Sequence, residues 1–116
     1  MNESKKIFHC NVELTIDIIK GKWTPRIICK IGNAGVIRYG ELKREIPTIN
    51  ERVLSRQLRE LENHKLINRK VYDEVPLKVE YSLTEIGMSL VPILNELGEW
   101  GRNYNKDIKY GEVDIN

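Results

Sequence analysis

The chain has 116 residues, of which 41% are hydrophobic, and its formal net charge is +2 at pH 7. This length predicts one domain with a modest core. The sequence has no apolar run of about 18 residues, which a membrane-spanning helix requires, and its first residues lack the pattern of a signal peptide. We therefore expect a cytoplasmic protein with no membrane partner.

The residue types that catalysis and metal binding need are sparse. The two cysteines, Cys10 and Cys29, and the two histidines, His9 and His64, show neither metal-ligand spacing nor a disulfide framework. No glycine-rich phosphate loop or hydrolase motif is present. We therefore expect no catalytic residues, no metal and no cofactor, and an enzyme is disfavoured.

Positive charge is concentrated in the middle of the chain. Residues 38–72 hold nine basic and five acidic residues, whereas residues 84–116 hold three basic and six acidic ones. A basic segment on a nearly neutral chain favours a nucleic-acid-binding module joined to a separate assembly element.

The N-terminal part of the chain predicts a flexible end followed by a helix. Residues 1–9 are polar, and we expect them to be flexible. Residues 11–20 predict a helix that ends at Gly21. Its apolar residues Val12, Ile16 and Ile19 fall on one face.

A second short helix is predicted over residues 24–31. Thr24 is a suitable N-cap, and Pro25 suits the first helical position. Residues 32–35 then predict a turn, and residues 36–38 a short edge strand.

The central stretch, residues 50–65, predicts a helix with two different faces. Asn50 is a good N-cap for it. Its apolar face holds Leu54, Leu58 and Leu61, while its polar face holds Arg52, Ser55, Arg56 and Arg59. A shorter helix over residues 39–46, which Pro47 ends, precedes it. Two helices separated by a few residues are typical of a helix-turn-helix.

Beyond residue 65 the apolar spacing changes from the helical period to alternation. Residues 66–72 and 77–83 predict two strands joined by a turn at residues 73–76. In this position a β-hairpin is a wing. The predicted fold is therefore mainly α, a winged helix-turn-helix domain with a two-stranded wing.

Residues 84–104 predict a long final helix that pairs two subunits. Its apolar surface is broader than a small core can cover, and its small residues, Gly87, Gly98 and Gly101, permit a close approach by another helix. The interface would hold Val91, Leu94, Leu97, Gly98, Trp100, Gly101 and Tyr104. The alternative is packing on its own domain alone. The domain would thus span residues 10–104, with a loose tail over residues 105–116.

Several short motifs in this order resemble the HxlR-type family, small MarR-like winged-helix transcription regulators of bacteria. They are Gly21-Lys22-Trp23-Thr24, Arg38-Tyr39-Gly40-Glu41-Leu42, Arg52-Val53-Leu54-Ser55, Leu58-Arg59-Glu60-Leu61-Glu62 and Val79-Glu80-Tyr81-Ser82-Leu83-Thr84. The resemblance implies a homodimer that binds operator DNA and regulates neighbouring genes. It also implies a cysteine where Cys10 stands, which senses oxidants or electrophiles in some members.

The central helix is expected to enter the major groove of double-stranded DNA. We expect Arg52 and Arg56 at base edges, because a guanidinium can bond guanine O6 and N7 together, and Arg59 at phosphate. The other candidates for DNA contact are Arg38, Tyr39, Asn50, Ser55, Lys70 and Lys78. For each residue an ordinary solvated surface role is the alternative. A winged-helix protein-interaction module without DNA binding is the alternative for the whole chain.

The sequence is consistent with two roles for Cys10. It is a reactive thiol if the nearby basic residues and the start of the first helix favour its thiolate. Otherwise it is an unreactive small residue at the domain edge. The effector, an oxidant or another small molecule, stays unidentified at this level.

Overall fold

The structure, a computed structural model, describes residues 5–114, and over this range the chain forms five helices and three strands. These elements are α1 (Asn11–Ile19), α2 (Thr24–Ala34), β1 (Val36–Arg38), α3 (Tyr39–Glu45), α4 (Glu51–Asn63), β2 (Ile67–Tyr72), β3 (Lys78–Leu83) and α5 (Glu85–Ile108). The predicted fold, mainly α with a helix-turn-helix and a β wing, is confirmed. No helix within the described residues is long and apolar enough to cross a membrane.

The sheet has three antiparallel strands rather than the two of the hairpin alone. Its order is β1-β3-β2, so β3 lies in the centre and pairs with both neighbours. The short strand expected at residues 36–38 is therefore an edge of the wing sheet. This pairing places the start of α3 beside the wing.

The core is built mainly by the apolar faces of α2, α3 and α4, and the leucine face predicted for α4 is part of it. Leu54, Leu58 and Leu61 of α4 are at most 2% exposed. Burying a leucine completely stabilises a fold by about 1.5–3 kcal/mol. The rest of the core comes mainly from Ile27, Ile28, Ile31, Leu42, Ile46, Tyr81, Leu90 and Leu94. The leucine stripe thus fixes which face of α4 points outward.

The apolar face predicted for α1 is not buried. Val12 is 65% exposed and Ile16 54%, and α1 contains no buried residue. Only Ile18 and Ile19, near its end, pack against the core. No described element covers the side of α1 that holds Val12 and Ile16, so this part of the predicted apolar face lies in solvent.

Helix α2 begins and ends differently from the prediction. Trp23 holds the N-cap position, and Thr24 is buried inside the first turn, where its hydroxyl lies within hydrogen-bond distance of two acceptors, the carbonyl of Lys20 (3.3 Å) and Gln57 Oε1 (3.2 Å). The helix continues through Ala34, because the residue that ends it is Gly35, whose backbone has a positive φ of 80°. The turn predicted at residues 32–35 is confined to its last residue.

Helix α5 is longer than predicted and leaves the domain partway along. Thr84 caps it, accepting the Gly87 amide (3.0 Å), and its buried residues are Gly87, Leu90 and Leu94. It continues to Ile108, so the expected loose tail begins later. The start of the tail is also held against the end of α5. The Asn105 side chain donates one hydrogen bond to the Gly111 carbonyl (2.8 Å) and accepts another from the Gly111 amide (2.9 Å). At the other end, residues 5–8 have no regular secondary structure, and residues 1–4 and 115–116 lie outside the described range.

Candidate nucleic-acid interface

Helix α4 is held as the exposed second helix of the helix-turn-helix. Asn50 caps it as predicted, because its side-chain oxygen accepts the amides of Arg52 (2.7 Å) and Val53 (3.4 Å). Glu51 lies in the first turn, near the positive end of the helix dipole. The cap and the buried leucines together fix both the start and the rotation of the helix.

Three arginines occupy the outward face of α4. Arg52, Arg56 and Arg59 are exposed. Their guanidinium groups make no hydrogen bond or ion pair with another of residues 5–114. Within the described part of the chain, the donors of each arginine therefore face outward unpaired. A guanidinium presents these donors in a planar fork that matches phosphate oxygens and the guanine edge.

Tyr39 and Ser55 join α3 to α4. The Tyr39 hydroxyl donates to the carbonyl of Glu51 (3.2 Å) and lies 3.3 Å from Ser55 Oγ. Both side chains are half-buried. Ser55 was predicted on the open arginine face, and the structure places it at the edge of that face, turned toward Tyr39.

The other predicted cations lie on the outer face of the wing sheet. Strand pairing sets Arg38 and Lys70 beside Glu80, and Lys78 beside Tyr72. The ammonium groups of Lys70 and Lys78 lie 4.9 and 4.5 Å from the Tyr72 ring. The Tyr72 hydroxyl donates to Glu80 Oε1 (2.9 Å), and Lys78 pairs with Glu80 at 3.5 Å. These lysines are therefore already engaged within the wing.

This network changes the acidity of Glu80. Hydrogen bonding from Tyr72, then the positive charges of Lys78 and Arg38, lower the pKa of Glu80 below its ordinary value. Glu80 thus stays ionised and offsets part of the positive charge on this face.

Sequence reasoning missed Arg69. Alternate residues of a strand point to opposite faces, so Arg69 shares the inner face with Ile67 and pairs with the buried Tyr81. A groove of about 350 Å³ separates this part of the wing from α4, and Arg59 and Arg69 both line it. An arginine at an inward position of an alternating strand was the signal in the sequence.

The residues predicted for the dimer interface fall into two groups. Leu97, Trp100 and Tyr104 are 53%, 67% and 41% exposed, and Gly98 is exposed with them. The Trp100 and Tyr104 rings stack at 5.1 Å. Leu94 is instead part of the core at 7% exposure, so it offers little surface to a second subunit. Val91 and Gly101 are half-buried, and Val91 packs against the core.

The exposed face of α1 was missed as a candidate interface. Val12 and Ile16, which the sequence places on one apolar face, leave an apolar stripe in solvent. Periodicity shows that such a face needs covering, but it does not show whether the cover comes from the same chain.

The two cysteines differ in environment. Cys10 is exposed and holds the N-cap position of α1. Cys29 is half-buried and packs against the core, and burial raises the pKa of its thiol. Of the two thiols, Cys10 is the accessible one. Among residues 5–114, no three histidine, cysteine or carboxylate side chains are grouped as a metal site.

An exposed, arginine-bearing helix that is capped within a helix-turn-helix and flanked by a β wing defines a winged helix-turn-helix protein of the DNA-binding class. The profile of the HxlR-like helix-turn-helix family matches residues 18–109. The chain therefore belongs to the HxlR-like helix-turn-helix family, and the resemblance seen in its motifs is confirmed.

Relatives carry the same assignment. The chain is 47% identical over 111 residues to the HTH-type transcriptional regulator YkvN of Bacillus subtilis, covering 95% of this chain and 93% of YkvN. It is 44% identical to the reduced form of the redox regulator HypR (TM-score 0.77; 85% of this chain and 96% of HypR). It is 28% identical to the reduced form of the transcriptional regulator YodB of B. subtilis (TM-score 0.74; 91% and 100%). The protein is accordingly a DNA-binding transcriptional regulator.

Proposed function

We propose that the protein is a homodimeric repressor that recognises a pseudo-palindromic operator by inserting α4 into the major groove. The observation that carries this proposal is the outward face of α4, where Arg52, Arg56 and Arg59 are exposed. Arg52 and Arg56 lie nearer the start of the helix and read base edges. Arg59, one turn further on, binds phosphate.

The remaining contacts hold the protein on the backbone of the duplex. Tyr39 and Asn50 lie at the starts of α3 and α4, where side-chain hydroxyl and amide groups can meet phosphate. Ser55 supports Tyr39 through their hydroxyl pair. Arg38, Lys70 and Lys78 add positive potential on the outer face of the wing, which attracts the duplex over a longer range.

Two subunits pair through the exposed part of α5. Leu97, Trp100 and Tyr104 leave apolar and aromatic surface in solvent, and the exposed stripe of α1 adds to it. A two-fold axis would present the two α4 helices to half-sites about 34 Å apart on one side of the duplex. The operator would then share the symmetry of the dimer.

Affinity measured against salt concentration tests the DNA-binding proposal. DNA fragments retained by the purified protein supply the preferred sequence, and fluorescence anisotropy gives its affinity. We expect affinity to fall steeply with salt, because phosphate contacts release counterions. Binding that is weak and independent of salt would favour the alternative, a protein-interaction module.

Replacing Arg56 tests base reading. Arg56→Ala should weaken binding to the preferred sequence by about 1–3 kcal/mol while changing binding to unrelated DNA less. Arg102→Ala, on α5 and paired with Glu99 at 2.8 Å, is the matched control. Equal losses of affinity on both sequences would show that Arg56 does not read a base.

A reporter gene placed behind the operator tests repression. If the protein is a repressor, expression of the reporter should rise when the regulator is deleted.

We further propose that DNA binding responds to modification of Cys10. Its thiol is exposed at the start of α1, next to the apolar stripe proposed for the dimer. The likeness to HypR, a redox regulator solved in reduced and oxidised forms, supports this assignment. Iodoacetamide forms a carbon–sulfur bond with the thiolate and releases iodide. Treatment should change the DNA affinity of the wild type and of Cys29→Ser, but not that of Cys10→Ser. An equal response in all three proteins would contradict the proposal.

A further inference from the structure

The groove between α4 and the wing has a cation on each wall. Arg59 projects from α4 and Arg69 from the inner face of β2. The buried Tyr81 and the hydroxyls of Tyr39 and Ser55 line the groove between them. Both guanidinium groups are exposed and make no hydrogen bond or ion pair with another of residues 5–114.

The geometry of a duplex determines what enters this groove. A helix in the major groove and a wing beside the adjacent minor groove lie on opposite sides of one sugar-phosphate strand, because that strand separates the two grooves. The strand must therefore pass between α4 and the wing. The space between them is the groove that Arg59 and Arg69 flank.

We propose that Arg69 is the wing's phosphate-binding residue and that it closes with Arg59 on one phosphate of the strand passing between α4 and β2. The assignment rests on the proposed function. A guanidinium forms paired hydrogen bonds with phosphate oxygens, and two such groups on opposite walls hold the phosphate from both sides. Glu62 also lines the groove, so one of the two positive charges is offset there.

The neighbouring Lys70 shows why Arg69 is singled out. Lys70 is one residue further along β2, so its side chain lies on the opposite face of the sheet. Its ammonium lies over the Tyr72 ring, away from the groove. The two residues therefore carry the same charge on the same strand, but only Arg69 faces the passing backbone.

This pair provides a matched comparison. Arg69→Gln and Lys70→Gln each remove one cation from an exposed position, and thermal melting checks that each variant folds. Anisotropy titrations over a range of salt concentrations use the preferred fragment and an unrelated duplex. We expect Arg69→Gln to reduce the slope of log affinity against log salt by about 0.9, the effect of one phosphate. The loss should be equal on both DNAs, and Lys70→Gln should change the slope less.

A single shared phosphate makes a second prediction. Because the phosphate is held only when both arginines contact it, either single variant already loses that contact, and the double variant Arg59→Gln/Arg69→Gln should lose less slope than the two single losses added together. Arg69→Lys keeps the charge and should retain most of the slope. Replacing individual phosphates of the fragment with neutral methylphosphonates should reveal one position that weakens the wild type and leaves Arg69→Gln unaffected.

The outcomes separate this inference from the proposed function. If Arg56→Ala weakens specific binding while Arg69→Gln leaves the salt slope unchanged, the assignment of Arg69 to phosphate is wrong and the proposed function stands. A change in the preferred DNA sequence caused by Arg69→Gln would mean that Arg69 contacts a base, which also overturns the assignment to phosphate. Wild-type protein without salt-dependent DNA binding overturns both.

Discussion

At the scale of single residues, Gly87 shows how the role of a residue depends on what lies opposite it in the fold. Gly87 was grouped with the small residues that would admit another subunit's helix. In the structure it faces the backbone of Leu66, where the chain enters β2, and a Cβ there would collide with the Leu66 carbonyl oxygen. Backbone cannot move aside as a flexible side chain can. Gly87 therefore sets how closely α5 approaches its own domain.

Gly87→Ala should accordingly destabilise the fold by about 1–3 kcal/mol, the usual cost of overpacking. Urea unfolding measured by circular dichroism tests this expectation. Gly40→Ala is the control, since the added Cβ would meet only the end of the Arg44 side chain at 3.8 Å. In α3 that change should be neutral or stabilise by up to about 1 kcal/mol, because alanine favours helix over glycine. Equal effects of the two changes would show that the close approach at Gly87 is relieved cheaply.

At the scale of elements, the wing is braced by contacts between side chains on its outer face. Tyr72 bridges the hairpin by donating to Glu80, while Lys70 and Lys78 lie over its ring. Strand alternation predicted which residues share this face. It did not predict that the two lysines would be engaged there, because that depends on the register between β2 and β3. The alternation that places Lys70 and Tyr72 on the outer face places Arg69 on the inner face, toward α4.

Replacing Tyr72 should raise the pKa of Glu80. The hydrogen bond from Tyr72 is the largest cause of its lowered value, so Tyr72→Phe moves that pKa back toward the ordinary glutamate range. A carboxyl whose pKa is lowered by folding contributes stability above its unfolded pKa, and this contribution is lost as the pH falls through the lowered folded value. Acid titration followed by NMR of the Glu80 side chain measures the shift. An unchanged pKa in the variant would assign the lowering to the lysine and arginine charges alone.

At the scale of the whole molecule, α5 packs on the domain through its first part and carries exposed apolar surface beyond it. Leu90 and Leu94 reach the core, whereas Leu97, Trp100 and Tyr104 lie in solvent. One continuous apolar pattern along the sequence thus supplies core residues in the first part of α5 and exposed apolar surface in the second. The exposed stripe of α1 is a second surface of the same kind, and pairing of two copies would cover both.

Trp100→Asp should convert the proposed dimer to monomers at micromolar concentration in sedimentation, because a charge would be buried in an apolar interface. Loss of the second half-site should also lower operator affinity by about a hundredfold or more. Val75→Asp, at the exposed tip of the wing, adds the same charge elsewhere and should leave the sedimentation unchanged. A wild-type protein that sediments as a monomer would contradict the proposed pairing.

The sequence by itself determined the order and type of the elements, the leucine face of α4 and the Asn50 cap, because apolar period and capping chemistry act within a few residues of the chain. It also carried enough motif spacing to indicate the family. Only the tertiary structure decided that α1 leaves its apolar face open, that Leu94 and Gly87 pack within the protomer, and that a groove lies between Arg59 and Arg69. These outcomes depend on which residues lie opposite one another in the fold. Those contacts join residues that are distant in the chain, so local sequence patterns do not show them.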